Sequence, residues 1–331
     1  MSDLKLTLAI NDYDHVRDLV GGRVKPEGIE LTCSQMPVEE IFYRFGARQE
    51  WDISELSMGM YCAAVSRGDA PFVAIPVFPS RVFRHSCIFV HRNGGIKSLS
   101  DLNGKRVGVP MWSQTASIYA RGHVQHQGGV ALSNIEWVQS GINDPGREEP
   151  AIVDLPAGVE LRFEKERSLT ELLLDRDIDA IISAHPPYEF EQGDKRIRRL
   201  FRNYRKVESE YFKKTGVFPI MHTIAIKRET FEANRWIAKN LMNAFELAKR
   251  RGIARLESIT ASQVALPWAS DSVEEFRRSF FADGEYWPYG VAANRTTLQT
   301  FLDYCYEQGV ATRRMSPHEL FPEETQFVLR V

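Results

Sequence analysis

Cysteine is scarce in this chain of 331 residues: Cys33, Cys62, Cys87 and Cys305 stand far apart, with no CxxC spacing. All four have apolar or aromatic neighbours, the setting of buried free thiols. Net charge is small as well, −2 by formal count, which gives no reason to expect a polyelectrolyte partner. Basic residues are mixed with acidic ones, and no basic stripe carries interleaved aromatics, so nucleic acid is not an expected partner. No apolar run approaches the ~18 residues of a membrane span, and no membrane association is expected. The start, Met1-Ser2-Asp3 followed by the alternating run Leu4 to Ile10, reads as a strand. A secretory signal needs a basic start and a long apolar stretch, so the expected location is cytoplasmic. Internal repeats and low-complexity segments are also missing.

What is present suits a globular protein of two lobes, each with its own core. Strand patterns at 4–10, 29–34, 51–57 and 72–77 alternate with helical patterns at 16–20, 37–49 and 58–66. That order implies βαβ units and a largely parallel sheet. Further on, 106–109 and 178–182 read as strands, and 115–127, 169–174 and 231–251 as helices. The last of these is amphipathic, with Trp236, Ile237, Leu241, Phe245 and Ala248 on one face. Residues 140–158 read as a polar excursion and 195–205 as a basic, solvated face. Two long strands, Val82–His91 and Phe218–Ile226, look like crossings between lobes, and helical hairpins surround the aromatic loop Glu285–Gly290.

Residues 79–117 organise the rest. Arg81, Arg84 and His85 lie on the first crossing, and the strand at 106–109 breaks at Pro110 before a helix starts near Thr115. A helix start offers unpaired N–H groups and a positive dipole end. Guanidinium forks meet carboxylates bidentately. Together they suggest a cleft that grips a small anion.

The motif SLSDLNGKRVGVP (Ser98–Pro110), with Ser113 and Thr115 following, is similar to the second-lobe entry of type II periplasmic-binding-protein folds. The resemblance implies an α/β chain with mixed, mostly parallel sheets flanked by helices and a cleft between two lobes. Residues 1–84 and 220–331 would form lobe one and 85–219 lobe two, with hinges near 82–88 and 216–224. Four further motifs, SRVFRH (Ser80–His85), TASIYARG (Thr115–Gly122), TGVFPIMH (Thr215–His222) and YWPYGVAANRTTL (Tyr286–Leu298), look like the 4,5-dihydroxyphthalate decarboxylases. The ending YCYEQGV, Tyr304–Val310, fits as well. This resemblance implies a cytoplasmic, cofactor-free carbon–carbon lyase of phthalate degradation that makes protocatechuate and carbon dioxide from a small aromatic dicarboxylate.

Such a reaction needs a base for a phenol, an acid near the ring carbon and cations for a carboxylate. Arg81, Arg84 and Arg295 are the expected clamps, although an arginine on a strand can equally pair with an acid across the lobes. Strand alternation puts Arg81 and His85 on one face and Arg84 on the other. His222, interrupting an apolar strand, is the first choice for proton donor and His85 the second; each can also be a satisfied core histidine. Glu55 could take the phenol proton or simply pair with an arginine. His185, in a loop before Pro186-Pro187, suits ligand contact or a plain turn. Ser113, Thr115 and Ala116 are expected at the anion, though Ser113 can serve only as a cap. Trp112, Trp287 and Tyr289 could sandwich a ring or belong to the core. Asn294 could bind a ring hydroxyl or cap the helix after it. His123 and His126 are three apart on a helix, but no carboxylate follows in a metal-binding pattern, so no metal is expected. Two competing readings remain: a solute-binding protein, and another lyase of the same fold resembling menaquinone-pathway enzymes. The sequence leaves open whether the chain forms a homo-oligomer.

Overall fold

The computed structural model describes residues 3–147, 149, 151–260, 263–281 and 285–326. The chain opens with β1 (Leu4–Ile10), α1 (Arg17–Val20), β2 (Ile29–Gln35), α2 (Val38–Arg48), β3 (Ile53–Ser57), α3 (Met58–Arg67) and β4 (Phe72–Ile75). It then forms β5 (Ile88–His91), β6 (Arg106–Val109), α4 (Thr115–His126), β7 (Glu136–Gln139), β8 (Leu161–Phe163), α5 (Leu169–Leu174), β9 (Ala180–Ile182), α6 (Tyr188–Glu191), β10 (Ile197–Arg199) and α7 (Tyr204–Thr215). It returns with β11 (His222–Lys227), α8 (Arg228–Ala233), α9 (Ile237–Glu257), α10 (Ala269–Phe280) and α11 (Arg295–Glu307).

The described strands make two mixed sheets, of order β2-β1-β3-β11-β4 and β10-β5-β9-β6-β7-β8. In the first, β1 runs parallel to β2 and β3, while the returning β11 is antiparallel to β3 and β4. In the second, β6 is parallel to β7 and β9, and β5 is antiparallel to β9 and β10. This is the α/β, two-lobe architecture that the resemblance implied. No helix among the described residues is long and apolar enough to cross a membrane.

Hydrophobic burial does not stop at the lobe boundary. Leu8, Ile53 and Ile224 of the first sheet belong to the same buried cluster as Val107, Val109 and Ile182 of the second. A smaller cluster around Phe89, Val138, Leu169 and Ile181 includes the packing of α5 on the second sheet. The C-terminal α11 packs on both α3 and α4 and so spans the two halves. At the seam α3 comes so close to the loop before α4 that a Cβ on Gly59 would meet the Ser113 carbonyl oxygen at 2.1 Å. Only glycine permits that approach.

The expected long crossings are shorter in the structure. Arg81 and Ile220 form an isolated antiparallel bridge. The first crossing then turns through a 3-10 helix at His85–Cys87, and β5 starts only at Ile88. The turn is fixed by Ser86 N–H donating to Glu208 Oε1 at 2.9 Å. The 195–205 stretch also differs from a solvated face. It contains β10 and the start of α7, and Arg199 donates to the Ser86 carbonyl at 2.9 Å while packing over Phe190 and Tyr204. Apolar residues between the charges at Ile197 and Leu200 are what pull this stretch inward.

Candidate active site

The parallel strands β1, β3, β6 and β9 end on a common cavity of about 570 Å³. Clefts at carboxyl ends of parallel strands are where α/β sheets place ligands, and the volume suits a small aromatic molecule.

Register builds its deepest wall. In the β3–β11 pair, His222 lies opposite Ser57 and Ile224 opposite Glu55. His222 and Glu55 are therefore diagonal neighbours on one face of the sheet. Their side chains meet with His222 Nδ1 and Glu55 Oε1 2.6 Å apart. Glu55 has no solvent exposure and also accepts from Tyr13 Oη at 2.6 Å and from the Asn11 backbone N–H at 2.9 Å. Burial and the Glu55 charge raise the pKa of the Tyr13 phenol, which keeps it a donor. Phe42 packs edge-on against the His222 ring. Nδ1 is thus committed to Glu55, while Nε2 has no hydrogen-bond partner among the described residues and the side chain lines the cavity. Glu55 does not itself line the cavity; it stands behind three residues that do, His222, Tyr13 and Asn11.

The cationic side consists of Arg84 and Arg147. Arg84 donates through Nε to Met221 Sδ at 3.0 Å, and burial lowers its pKa. No described carboxylate forms an ion pair with either guanidinium. His185, after β9, meets Glu39 of α2 across the cavity at 2.6 Å. Val38, Phe42, Tyr43 and Met60 supply apolar and aromatic lining.

At the start of α4 the structure holds an internal anion. The Glu149 carboxylate accepts from the N–H groups of Trp112 and Ser113 and from the Ser113 hydroxyl. Ser113 therefore holds Glu149 and does not cap α4. Thr115 Oγ1 lies 2.9 Å from Ser57 Oγ and accepts from the Gly59 N–H at 3.0 Å, tying α4 to α3. Thr115 and Ala116 line the cavity, and their N–H groups start the helix, with no carbonyl of their own helix to meet.

Several expected site residues lie elsewhere. Arg81 is buried, donating to the carbonyls of Phe218 at 2.8 Å and Pro288 at 3.2 Å beneath the Phe218 ring. It fastens the crossing to the 285–290 loop. His85 has no exposure; it stacks on His123 with ring centroids 3.9 Å apart and meets Gln127 at 3.0 Å. Burial pushes its pKa down to about 4, so it is neutral. Tyr289 is buried beside Lys249. Asn294 donates to the Pro288 and Gly290 carbonyls, holding the loop, and Arg295 opens α11 exposed to solvent. Trp112 is buried under Arg121, and Trp287 bonds to the Phe78 carbonyl. None of these lines the cavity; the aromatic rings that do are Phe42 and Tyr43 of α2 and Tyr13 after β1. His126 pairs with Glu307, and no cluster of metal-ligating side chains occurs among the described residues.

Sequence reasoning missed Tyr13, Glu39, Phe42, Tyr43 and Arg147. Tyr13 follows the end of β1, and strand ends are themselves a signal. Arg147 sits in the 140–158 excursion, where nothing local distinguishes it from a solvated charge.

A family described as NMT1/THI5 like matches residues 14–146. The chain is 37% identical to 4,5-dihydroxyphthalate decarboxylase of Comamonas testosteroni over 97% of both chains. It is 35% identical to the Pseudomonas putida protein of that name, over 64% of this chain and 83% of that protein. In structure it is similar to the periplasmic aliphatic sulphonate binding protein SsuA of Escherichia coli, with a TM-score of 0.53, 14% identity and 97% of each chain covered, a likeness of fold alone. Identity of this extent over nearly the whole length of the Comamonas protein means that the chain belongs to the 4,5-dihydroxyphthalate decarboxylase family, whose named members are carbon–carbon lyases.

Proposed function

We propose that this chain decarboxylates 4,5-dihydroxyphthalate to protocatechuate and carbon dioxide, a non-oxidative step of phthalate degradation. The chemistry follows from the substrate. A hydroxyl para to the departing carboxylate, once deprotonated, pushes electron density onto the carbon that bears it. Protonating that carbon breaks aromaticity, and losing carbon dioxide restores it.

The observation that carries the reading is the His222–Glu55 pair on the wall of a cavity that also holds unpaired guanidinium groups. Glu55 accepts at Nδ1 and fixes the ring of His222, as a carboxylate behind a histidine does in general. His222 Nε2 is the proton donor to the ring carbon. Arg84 neighbours Met221, and hence His222, so it holds the carboxylates beside that donor. Arg147 and the first turn of α4 complete the anion site. A carboxylate that commits one nitrogen of a cavity histidine and leaves the other open is the arrangement of a general acid or base, which supports chemistry in this cavity.

The direct test mixes purified protein with 4,5-dihydroxyphthalate and follows carbon dioxide and protocatechuate together. Stoichiometric release of both is the expected result. Tight binding with no release would instead support the solute-binding reading.

A further inference from the structure

The reaction moves two protons, one off a hydroxyl oxygen and one onto a ring carbon, and His222 serves only the second. The cavity has another histidine–carboxylate pair. His185 Nε2 lies 2.6 Å from Glu39 Oε1, and both side chains line the same space as His222. The two pairs differ in depth: His222 and Glu55 are 15% and 0% exposed, His185 and Glu39 59% and 39%. They differ in origin too, since Glu39 opens α2 beside the first sheet while His185 follows β9 of the second. The second pair exists only where the halves meet.

We propose that the Glu39–His185 pair is a second acid–base group, which takes the proton from the hydroxyl para to the departing carboxylate while His222 protonates the ring carbon. This rests on the reaction proposed above. Neutral His185 donates Nε2–H to Glu39, which leaves Nδ1 as a base with no partner among the described residues. The hydroxyl proton passes to Nδ1, and the imidazolium pairs with the Glu39 carboxylate. The oxygen's electron pair flows through the ring, and the ring carbon takes a proton from His222 Nε2. The bond to the carboxylate then breaks, its electrons return to the ring, and carbon dioxide leaves. His185 returns its proton to the phenolate, and His222 is recharged from water.

The charges around His185 agree. Its hydrogen bond to Glu39 raises its pKa, against burial and the opposing charges of Arg147 and Arg84. The same bond holds the Glu39 carboxyl down to about 2, and the start of α2 favours that negative charge. Glu39 is therefore a fixed anion that makes His185 a stronger base.

The test compares wild type with His185→Gln, Glu39→Gln and His222→Gln. A base must be neutral, so kcat/KM of the wild type falls as pH drops through the raised pKa of His185. In Glu39→Gln that limb moves to lower pH, because the group raising the pKa is gone. His185→Gln loses the limb, and kcat drops about 10²-fold or more, the usual worth of a general base, while KM changes little. A KM increase with kcat and the limb unchanged would make His185 a binding residue and overturn the proposal. A second readout needs no turnover. Protocatechuate bound to the wild type at neutral pH shows phenolate absorbance, which His185→Gln loses and His222→Gln keeps. Phenolate absorbance that persists in His185→Gln overturns the proposal whatever the activity. Wild type that binds phenolate without decarboxylating 4,5-dihydroxyphthalate overturns the reaction instead, and supports the base.

Discussion

His85 and His222 are both largely enclosed, and each touches aromatic rings, yet their surroundings differ in one respect. His222 has the Glu55 carboxylate on Nδ1 and a cavity at its other side. His85 has the Gln127 amide on Nε2, and its Nδ1 is buried with no partner. Arg84 and Arg81 repeat the contrast three residues apart. Arg84 faces the cavity with a thioether as its polar contact, whereas Arg81 spends its N–H groups on two backbone carbonyls. The difference teaches that burial alone does not assign a polar side chain to chemistry. What assigns it is an unspent donor or acceptor aimed at space, with a partner behind it that sets its direction.

The largest expected effect comes from exchanging the two histidines' fates. His222→Ala should lower kcat by about 10²–10⁴-fold, the usual contribution of a positioned acid, with KM nearly unchanged. His85→Gln should leave both constants close to wild type. Glu55→Gln should lower kcat by about 10²-fold, and combined with His222→Ala it should cost no more than His222→Ala alone, since Glu55 acts through that ring. Steady-state kinetics on the three variants and the double variant would break the contrast if His85→Gln matched His222→Ala.

The arginines give the next effect. Arg84→Gln should raise KM about 10–100-fold, because hydrogen bonds to a charged group are worth about 1.5–3 kcal/mol and each 1.4 kcal/mol is about tenfold in affinity. Arg81→Gln should leave KM alone and instead lower unfolding free energy by about 1–3 kcal/mol, the cost of stranding buried carbonyl partners. Substrate titration and urea unfolding of the same pair of proteins separate the roles. A raised KM in Arg81→Gln, with its stability intact, would return it to the cavity.

How much of this the sequence discloses depends on range. Alternation and helical spacing are local, so β1, β3, α2 and α4 are legible within a few residues of their true ends. His222 is legible as a polar interruption in an apolar strand, and Arg84 as part of a cationic cluster. Alternation puts Arg81 and Arg84 on opposite faces but does not say which face meets the cavity; that is set by the Phe218 and Pro288 carbonyls that take Arg81 and by Met221 beside Arg84, all far along the chain. Glu39 and Arg147 are hidden for a related reason. Their neighbours read as a helix start and a polar connection, and only the meeting of two sheets brings them to one space. The 285–295 loop misled in the opposite sense. Its aromatic and amide residues resemble a ligand site, and in the fold they lock the loop to Arg81, Lys249 and Phe78.

The smallest effect concerns the silent histidine itself. In the folded chain burial pushes the pKa of His85 down to about 4, from an ordinary value of 6.5. Between those values the unfolded chain binds a proton that the folded chain refuses, so unfolding free energy rises with pH across the window. The stability is present above pH 6.5 and is lost as pH falls towards about 4. Each pKa unit is worth about 1.4 kcal/mol, so one such group accounts for at most about 3 kcal/mol. His15, half-buried and likewise pushed down to about 4 by desolvation, shares the same window, and His123 stacked on His85 is lowered too. Wild type should therefore lose stability steeply on acidification, and His85→Gln, which has no proton to take up there, should lose about 1–3 kcal/mol less between the two ends of the window. Urea midpoints measured at several pH values check this. An identical slope in His85→Gln would mean that the buried ring accepts a proton without cost, and the distinction between an idle histidine and a working one would then have to rest on the cavity alone.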